Sequence, residues 1–71
     1  MRKGIYKHYK GNLYRVINFC KHSKTLEDLV FYEALYDNPE SKFWVRPIEM
    51  FEEKVITPDG KKLRFTFISE E

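Results

Sequence analysis

Cysteine, glycine and long hydrophobic runs are all scarce in this sequence. Its one cysteine, Cys20, cannot form an internal disulfide, and the chain has no set of cysteines and histidines of the size that a structural zinc requires. Three glycines in the whole chain exclude a glycine-rich, phosphate-binding loop. A domain without these supports depends on its apolar core for stability.

No apolar run approaches 18 residues, so the sequence predicts no membrane-spanning helix and no membrane partner. The basic residues Arg2 and Lys3 are not followed by an apolar segment, so we expect no signal peptide. Together with the lone cysteine, this pattern predicts a cytoplasmic location. The formal charge of +2 comes from 13 basic and 11 acidic residues that are interspersed for most of the chain's length, and this balance neither requires nor excludes a nucleic-acid partner.

Aromatic residues are abundant instead, at 17% of the 71 residues. Each aromatic side chain buries about 150–250 Å², so a few large residues can build the core of a small domain. The length predicts a single domain over residues 1–71. Turn signals separate short runs rich in aromatic and β-branched residues, which is typical of a small β-barrel or sandwich. The predicted strands cover residues 4–9, 13–22, 29–36, 42–46 and 63–68.

The segment over residues 25–35 is the ambiguous one. Thr25 followed by acidic residues is typical of a helix start, but the run Leu29-Val30-Phe31-Tyr32 favours a strand. The strand is the preferred prediction and the helix the alternative. Further along, Pro47-Ile48-Glu49-Met50-Phe51 predicts one short helical turn, and Pro58-Asp59-Gly60 predicts a hairpin turn. The expected fold is therefore mainly β, a small SH3-like barrel of about five strands with a short helical turn near Pro47–Phe51.

Four blocks of residues occur in order along the chain: Gly4-x-Tyr6-x-His8-Tyr9-Lys10-Gly11-x-x-Tyr14-x-Val16, His22-Ser23-x-Thr25-x-Glu27, Val30-x-Tyr32-x-x-Leu35-Tyr36, and Trp44-Val45-Arg46-Pro47-x-x-Met50-Phe51-x-Glu53. In this order they resemble a bacterial family of uncharacterised proteins, domain of unknown function 1653. The resemblance extends to about Lys54 and implies a small cytoplasmic domain, stand-alone or fused, with no established activity.

A catalytic function would depend on His8, Cys20 and His22, because a cysteine or histidine nucleophile needs a neighbouring base. Cys20 and His22 are two residues apart and would share one face of a strand. A buried cysteine behaving as a small apolar residue explains the same pattern. A metal site built from His8, His22 and Glu27 lacks a recognisable ligand spacing. We therefore predict no catalytic residue, no metal and no cofactor, and keep a small hydrolase-type or metal-dependent enzyme as the alternative.

A binding module is the preferred function. The tyrosines and Trp44 exceed what so small a core can enclose, so some of them must reach the surface. The predicted binding face consists of His8, Tyr9, His22, Tyr32, Trp44 and Arg46. Its expected ligand is a protein or peptide, with nucleic acid as the second possibility because Tyr9-Lys10 and Trp44-Val45-Arg46 pair aromatic rings with cations.

Two simpler interpretations remain open from the sequence. Arg46 would have only a structural role if it formed an ion pair with Glu33, Glu49 or Glu53. The domain would have an accessory role if an exposed apolar patch held it against a larger partner. The expected assembly is a monomer or a weak homo-oligomer.

Overall fold

The computed structural model describes all 71 residues, and they form seven strands and one short helix. In chain order these are β1 (Gly4–His8), β2 (Leu13–Lys21), β3 (Asp28–Ala34), β4 (Phe43–Pro47), α1 (Ile48–Glu52), β5 (Lys54–Thr57), β6 (Gly60–Leu63) and β7 (Phe65–Ser69). No helix combines the length and the hydropathy that a membrane crossing requires.

Five strands form one antiparallel sheet in the order β4-β3-β2-β1-β7, and β5 and β6 form a separate hairpin. The register places Tyr6 opposite Tyr14 and Tyr32 opposite Trp44, so their side chains share one face of the sheet. His8 lies opposite Phe65 on the same face, which we call the inner face.

A bulge between Val16 and Asn18 interrupts the pairing of β2 with β3. Before the bulge Val16 points inward and is 2% exposed, whereas beyond it Phe19 packs against the core. One extra residue in a strand reverses which alternating positions face inward and bends the sheet. This explains why β2 has apolar residues on both of its sides, a pattern that indicated a bent strand.

The core covers the inner face and consists mainly of aromatic rings. Its six buried residues are Tyr6, Val16, Val30, Tyr32, Phe51 and Phe65. Helix α1 contributes Phe51, whose ring stacks on Phe65 at 3.9 Å between centroids with an interplanar angle of 1°. A five-residue helix is not stable alone, so the burial of Phe51 keeps α1 on the sheet.

The structure confirms a mainly β fold, the strand over the ambiguous segment, the helical turn after Pro47 and the hairpin turn before Gly60. The predicted number of about five strands was too low. Leu63 belongs to β6, where it lies opposite Lys54, and the last strand begins only at Phe65. Arg64 lies between the two strands: its N–H donates to the carbonyl of Glu53, next to β5, and its carbonyl accepts the N–H of Tyr9, next to β1. The chain therefore changes its pairing partner at a residue that is neither glycine nor proline.

A closed SH3-like barrel is not confirmed. Strands β4 and β7 are the two edges of the sheet and do not pair with each other. At the β4 edge the Ser41 hydroxyl donates to the carbonyl of Phe43 at 2.8 Å and accepts from its N–H at 3.2 Å. Pro47, at the other end of β4, has no N–H to donate. Both features restrict the pairing of this edge with another strand.

Candidate binding site

The sheet register brings five of the six predicted binding residues to one end of the inner face. Tyr32, Trp44 and Arg46 line a recess of about 200 Å³ together with Tyr14 and Asn38, and we call these five residues the tyrosine recess. Its walls come from β2, β3, β4 and the loop after β3.

His8 and Tyr9 lie beside the tyrosine recess and form a pair that we call the His8 platform. Their rings are 4.6 Å apart with an interplanar angle of 31°. The centroid of the His8 ring is 6.3 Å from that of Tyr14 and 4.9 Å from that of Phe65. The His8 and Phe65 rings are nearly perpendicular to each other. Tyr9 is 37% exposed, so part of its ring is open to a ligand.

The structure does not bring His22 to this site. Lys7 lies opposite Leu13 at the start of β2, whereas His22 follows Lys21 at the end of that strand. Eight steps along an extended strand separate the two ends by roughly 25 Å. The Nδ1 atom of His22 accepts backbone N–H groups from Lys24 and Thr25, which gives His22 a local role in shaping the β2–β3 loop.

Arg46 has no carboxylate partner. Glu33 faces Arg15 and Lys42 at 3.9 and 3.7 Å, and Glu53 binds Arg64 at 2.6 Å. The ion pairs of the chain do not include Arg46, so the alternative in which it pairs with Glu33, Glu49 or Glu53 is wrong.

The surroundings of the Arg46 guanidinium are aromatic instead. Its Nε donates a long hydrogen bond of 3.4 Å to the hydroxyl of Tyr32. Its carbon Cζ lies 6.0 Å from the centroid of the Phe65 ring. A half-buried guanidinium in such a place keeps most of its donors available for an anion.

A hydrogen-bonded chain of hydroxyls borders the recess. The hydroxyls of Tyr14 and Tyr36 are 2.7 Å apart, and the side-chain amide of Asn38 donates to Tyr36 at 3.0 Å. The Tyr14 and Tyr36 hydroxyls carry one proton each, and the hydrogen bond between them needs only one of these protons. The other proton is free to be donated to a ligand. Burial, together with the Tyr36 hydrogen bond, raises the pKa of Tyr14 well above its ordinary value, so its hydroxyl stays protonated.

Burial and nearby cations lower the pKa of His8 below its ordinary value of 6.5. The cations are Arg64, Lys10 and Arg46, in decreasing order of effect. The Nδ1 atom of His8 accepts the N–H of Lys10 at 3.1 Å, so the neutral ring carries its proton on Nε2. His8 therefore adds a neutral donor to a cationic neighbourhood.

The catalytic alternative required His8, Cys20 and His22 to meet, and the structure separates His8 from the other two. Cys20 is exposed near the end of β2, beside Phe19 and Asp28. The structure contains no cluster of three or more histidine, cysteine or acidic side chains arranged to hold a metal ion. The trio of His8, His22 and Glu27 does not assemble for the same reason, since His8 lies at the opposite end of β2.

Sequence reasoning missed the contributions of Tyr14, Tyr36 and Asn38. Tyr14 and Tyr36 belong to the tyrosine excess but were not selected for the predicted binding face, and Asn38 was not selected either. The tyrosine excess pointed to hydroxyls at the surface, but the 2.7 Å contact between Tyr14 and Tyr36 joins residues that are 22 positions apart. No local pattern reports such a contact.

Comparisons with known proteins agree with this description. No curated protein matches the chain. A crystal structure of a DUF1653 protein from Bordetella bronchiseptica matches with a TM-score of 0.94 and 30% sequence identity, covering 100% of this chain and 91% of the other. The model of the family described as protein of unknown function, DUF1653, matches residues 4–67. The chain therefore belongs to the DUF1653 family.

Proposed function

We propose that this domain is a non-catalytic binding module whose ligand places an anionic group of a peptide, protein or nucleic acid against Arg46. One observation carries the proposal: Arg46 is a half-buried cation at an aromatic recess and has no carboxylate partner. Guanidinium groups bind carboxylates and phosphates through paired, charge-assisted hydrogen bonds.

The neighbouring donors support the same proposal. Tyr32, the Tyr14–Tyr36 pair and neutral His8 all present O–H or N–H groups at this end of the inner face. No carboxylate lines the tyrosine recess, so no negatively charged side chain in its lining repels an anion that enters it. SH3-like barrels bind ligands in aromatic-lined grooves, and we propose that this curved, unclosed sheet is an open form of that architecture.

The test is a titration of ¹⁵N-labelled protein with two separate probes, an acidic peptide and a short single-stranded oligonucleotide of mixed sequence. At least one probe should shift the amide signals of β3, β4 and the His8 platform. Arg46→Gln should abolish these shifts. Arg15→Gln is the matched control, because Arg15 lies on the opposite face of the sheet and pairs with Glu33.

The dispersion of the amide spectrum shows whether each variant is folded. Arg46→Lys keeps the charge and should keep part of the binding, which separates a charge effect from a packing effect. If neither probe shifts these signals, the proposal is refuted. Equal losses of binding in Arg46→Gln and Arg15→Gln would also refute it.

A second candidate function, an accessory domain that contacts a partner protein, is favoured by the outer face of the sheet. Phe31 and Phe43 stack there at 5.6 Å with an interplanar angle of 14°. Phe43 is 49% exposed, and Val45, which lies opposite Phe31, is 56% exposed. Sedimentation velocity should detect weak self-association that Phe43→Glu removes. A monomer at every concentration, unchanged by the substitution, would argue against this candidate.

A further inference from the structure

We infer that the ligand of this site is a single-stranded nucleic acid, with a base stacked on the His8 platform and an adjoining phosphate between Lys10 and Arg46. The inference rests on the proposed function and narrows its ligand to one class. Three features carry it: the size of the recess, the positions of the unpaired cations and the partly exposed aromatic ring of Tyr9 beside them.

The recess is too small for a whole ligand. Its volume of about 200 Å³ is below the roughly 300–1,000 Å³ typical of small-molecule sites. It has room for one planar or charged group. The rest of the ligand must therefore lie along the surface outside, which is how a chain molecule binds.

The cations available to that chain lie near the His8 platform. The Lys10 ammonium is 5.9 Å from the centroid of the Tyr9 ring, and the Arg46 guanidinium carbon is 6.0 Å from the centroid of the Phe65 ring, which neighbours His8. Lys10, Arg46 and Arg64 are all near enough to lower the pKa of His8. Arg64 is bound to Glu53, whereas Lys10 and Arg46 form no ion pair. Two free cations beside a ring suit a ligand that repeats negative charges along its backbone.

The His8 platform distinguishes a nucleic acid from an acidic peptide. It is a pair of neighbouring rings with centroids 4.6 Å apart and planes inclined at 31°. Tyr9 is partly open to solvent, and the Lys10 ammonium lies 5.9 Å from the centroid of the Tyr9 ring. Proteins that bind single strands combine such stacking surfaces with cations, because every base has a flat π-face. An acidic peptide would use the cations and leave the platform without a partner.

Fluorescence anisotropy with a labelled, mixed-sequence DNA of about eight nucleotides tests this inference. With two phosphate contacts, the logarithm of the binding constant should fall with the logarithm of salt concentration at a slope of about −1.4. Affinity should then fall about sevenfold between 50 and 200 mM salt. Lys10→Gln should reduce the slope to about −0.7, and the same substitution at exposed Lys61, in the separate hairpin, should leave it unchanged.

Stacking is tested separately from charge. Tyr9→Ala should weaken binding about fivefold or more without changing the salt slope. Phe43→Ala is the matched control, since Phe43 is also an exposed aromatic residue but lies on the outer face. Both positions are at the surface, so both variants should fold.

The outcomes separate this inference from the proposed function. If the acidic peptide shifts the amide signals at the recess and the oligonucleotide does not bind at low salt, the nucleic-acid inference is overturned while the proposed function stands. If neither probe binds, both are refuted. Equal weakening by Phe43→Ala and Tyr9→Ala would show that the oligonucleotide binds elsewhere and would also overturn the inference.

Discussion

Replacement of Phe51 by alanine should destabilise this domain more than almost any other single change. Phe51 is 1% exposed, stacks on Phe65 and meets Tyr6 and Tyr32 edge to face at 5.3 Å each. Truncating a buried phenylalanine costs about 3–5 kcal/mol because the lost contacts leave a cavity. A domain of this length has a total stability of about 4–10 kcal/mol. We therefore expect Phe51→Ala to lose a third or more of it.

Phe51→Leu makes the prediction measurable even if Phe51→Ala fails to fold. Leucine keeps most of the apolar volume but removes the ring, and aromatic pairs contribute about 0.5–1.5 kcal/mol each beyond their buried area. With three ring partners, the expected loss is about 1.5–4.5 kcal/mol and should stay below that of Phe51→Ala. The control is Met50→Ala in the same helix, since Met50 is 45% exposed and should change stability by less than about 0.5 kcal/mol.

Urea unfolding followed by far-ultraviolet circular dichroism and by the fluorescence of Trp44, the single tryptophan, gives these free energies. The two signals should change together, because the helix, the sheet and the recess share one core. A loss under about 1 kcal/mol for Phe51→Ala, or an equal loss for Met50→Ala, would refute the argument that Phe51 holds α1 against the sheet.

Three further predictions follow from the structure. Because the pKa of His8 is lowered on folding, the unfolded chain binds more protons than the folded chain just below pH 6.5. The free energy of unfolding should therefore fall as the pH decreases through this window, and it should fall less in His8→Gln. Urea unfolding at several pH values measures both changes. Gly4→Ala should lower the melting temperature at least about 5 °C more than Gly11→Ala does. Both glycines have a positive φ, but only at Gly4 would an added Cβ clash with a backbone carbonyl of the neighbouring strand. Equal melting temperatures of the two variants would contradict this. Tyr36→Phe should move the pKa of Tyr14 back toward its ordinary value, visible in the alkaline titration of ¹³C-labelled tyrosine, and an unchanged titration would show that the hydrogen bond has no influence.

Local patterns were sufficient for most of the fold. The β-branched and aromatic run Leu29-Val30-Phe31-Tyr32 correctly predicted a strand, and Pro47 correctly marked the entrance to a helical turn. The predicted strand over residues 63–68 began too early, because it runs across the boundary between β6 and β7. At that boundary the backbone of Arg64 changes its partner from Glu53, 11 residues away, to Tyr9 near the start of the chain.

The structure likewise brings together only some residues of the predicted binding face. Tyr32, Trp44 and Arg46 were selected for their chemistry, and the structure places them in one recess. His22 was selected on equal grounds but lies at the other end of β2. The type of each side chain can be read directly from the sequence. Which loops lie at the same end of the sheet is decided only by the pairing of strands.

The sequence by itself therefore determined the composition of the core, the strand-forming segments and the kinds of side chain available for binding. These follow from short-range preferences: alternation, turn residues and aromatic content. Only the tertiary structure decided that Arg46 has no acidic partner, that Tyr14 meets Tyr36, and that the sheet remains open between β4 and β7. The physical reason is that ion pairs, hydroxyl contacts and sheet closure join residues far apart in the chain, and their distances are set by strand register and by the bulge in β2.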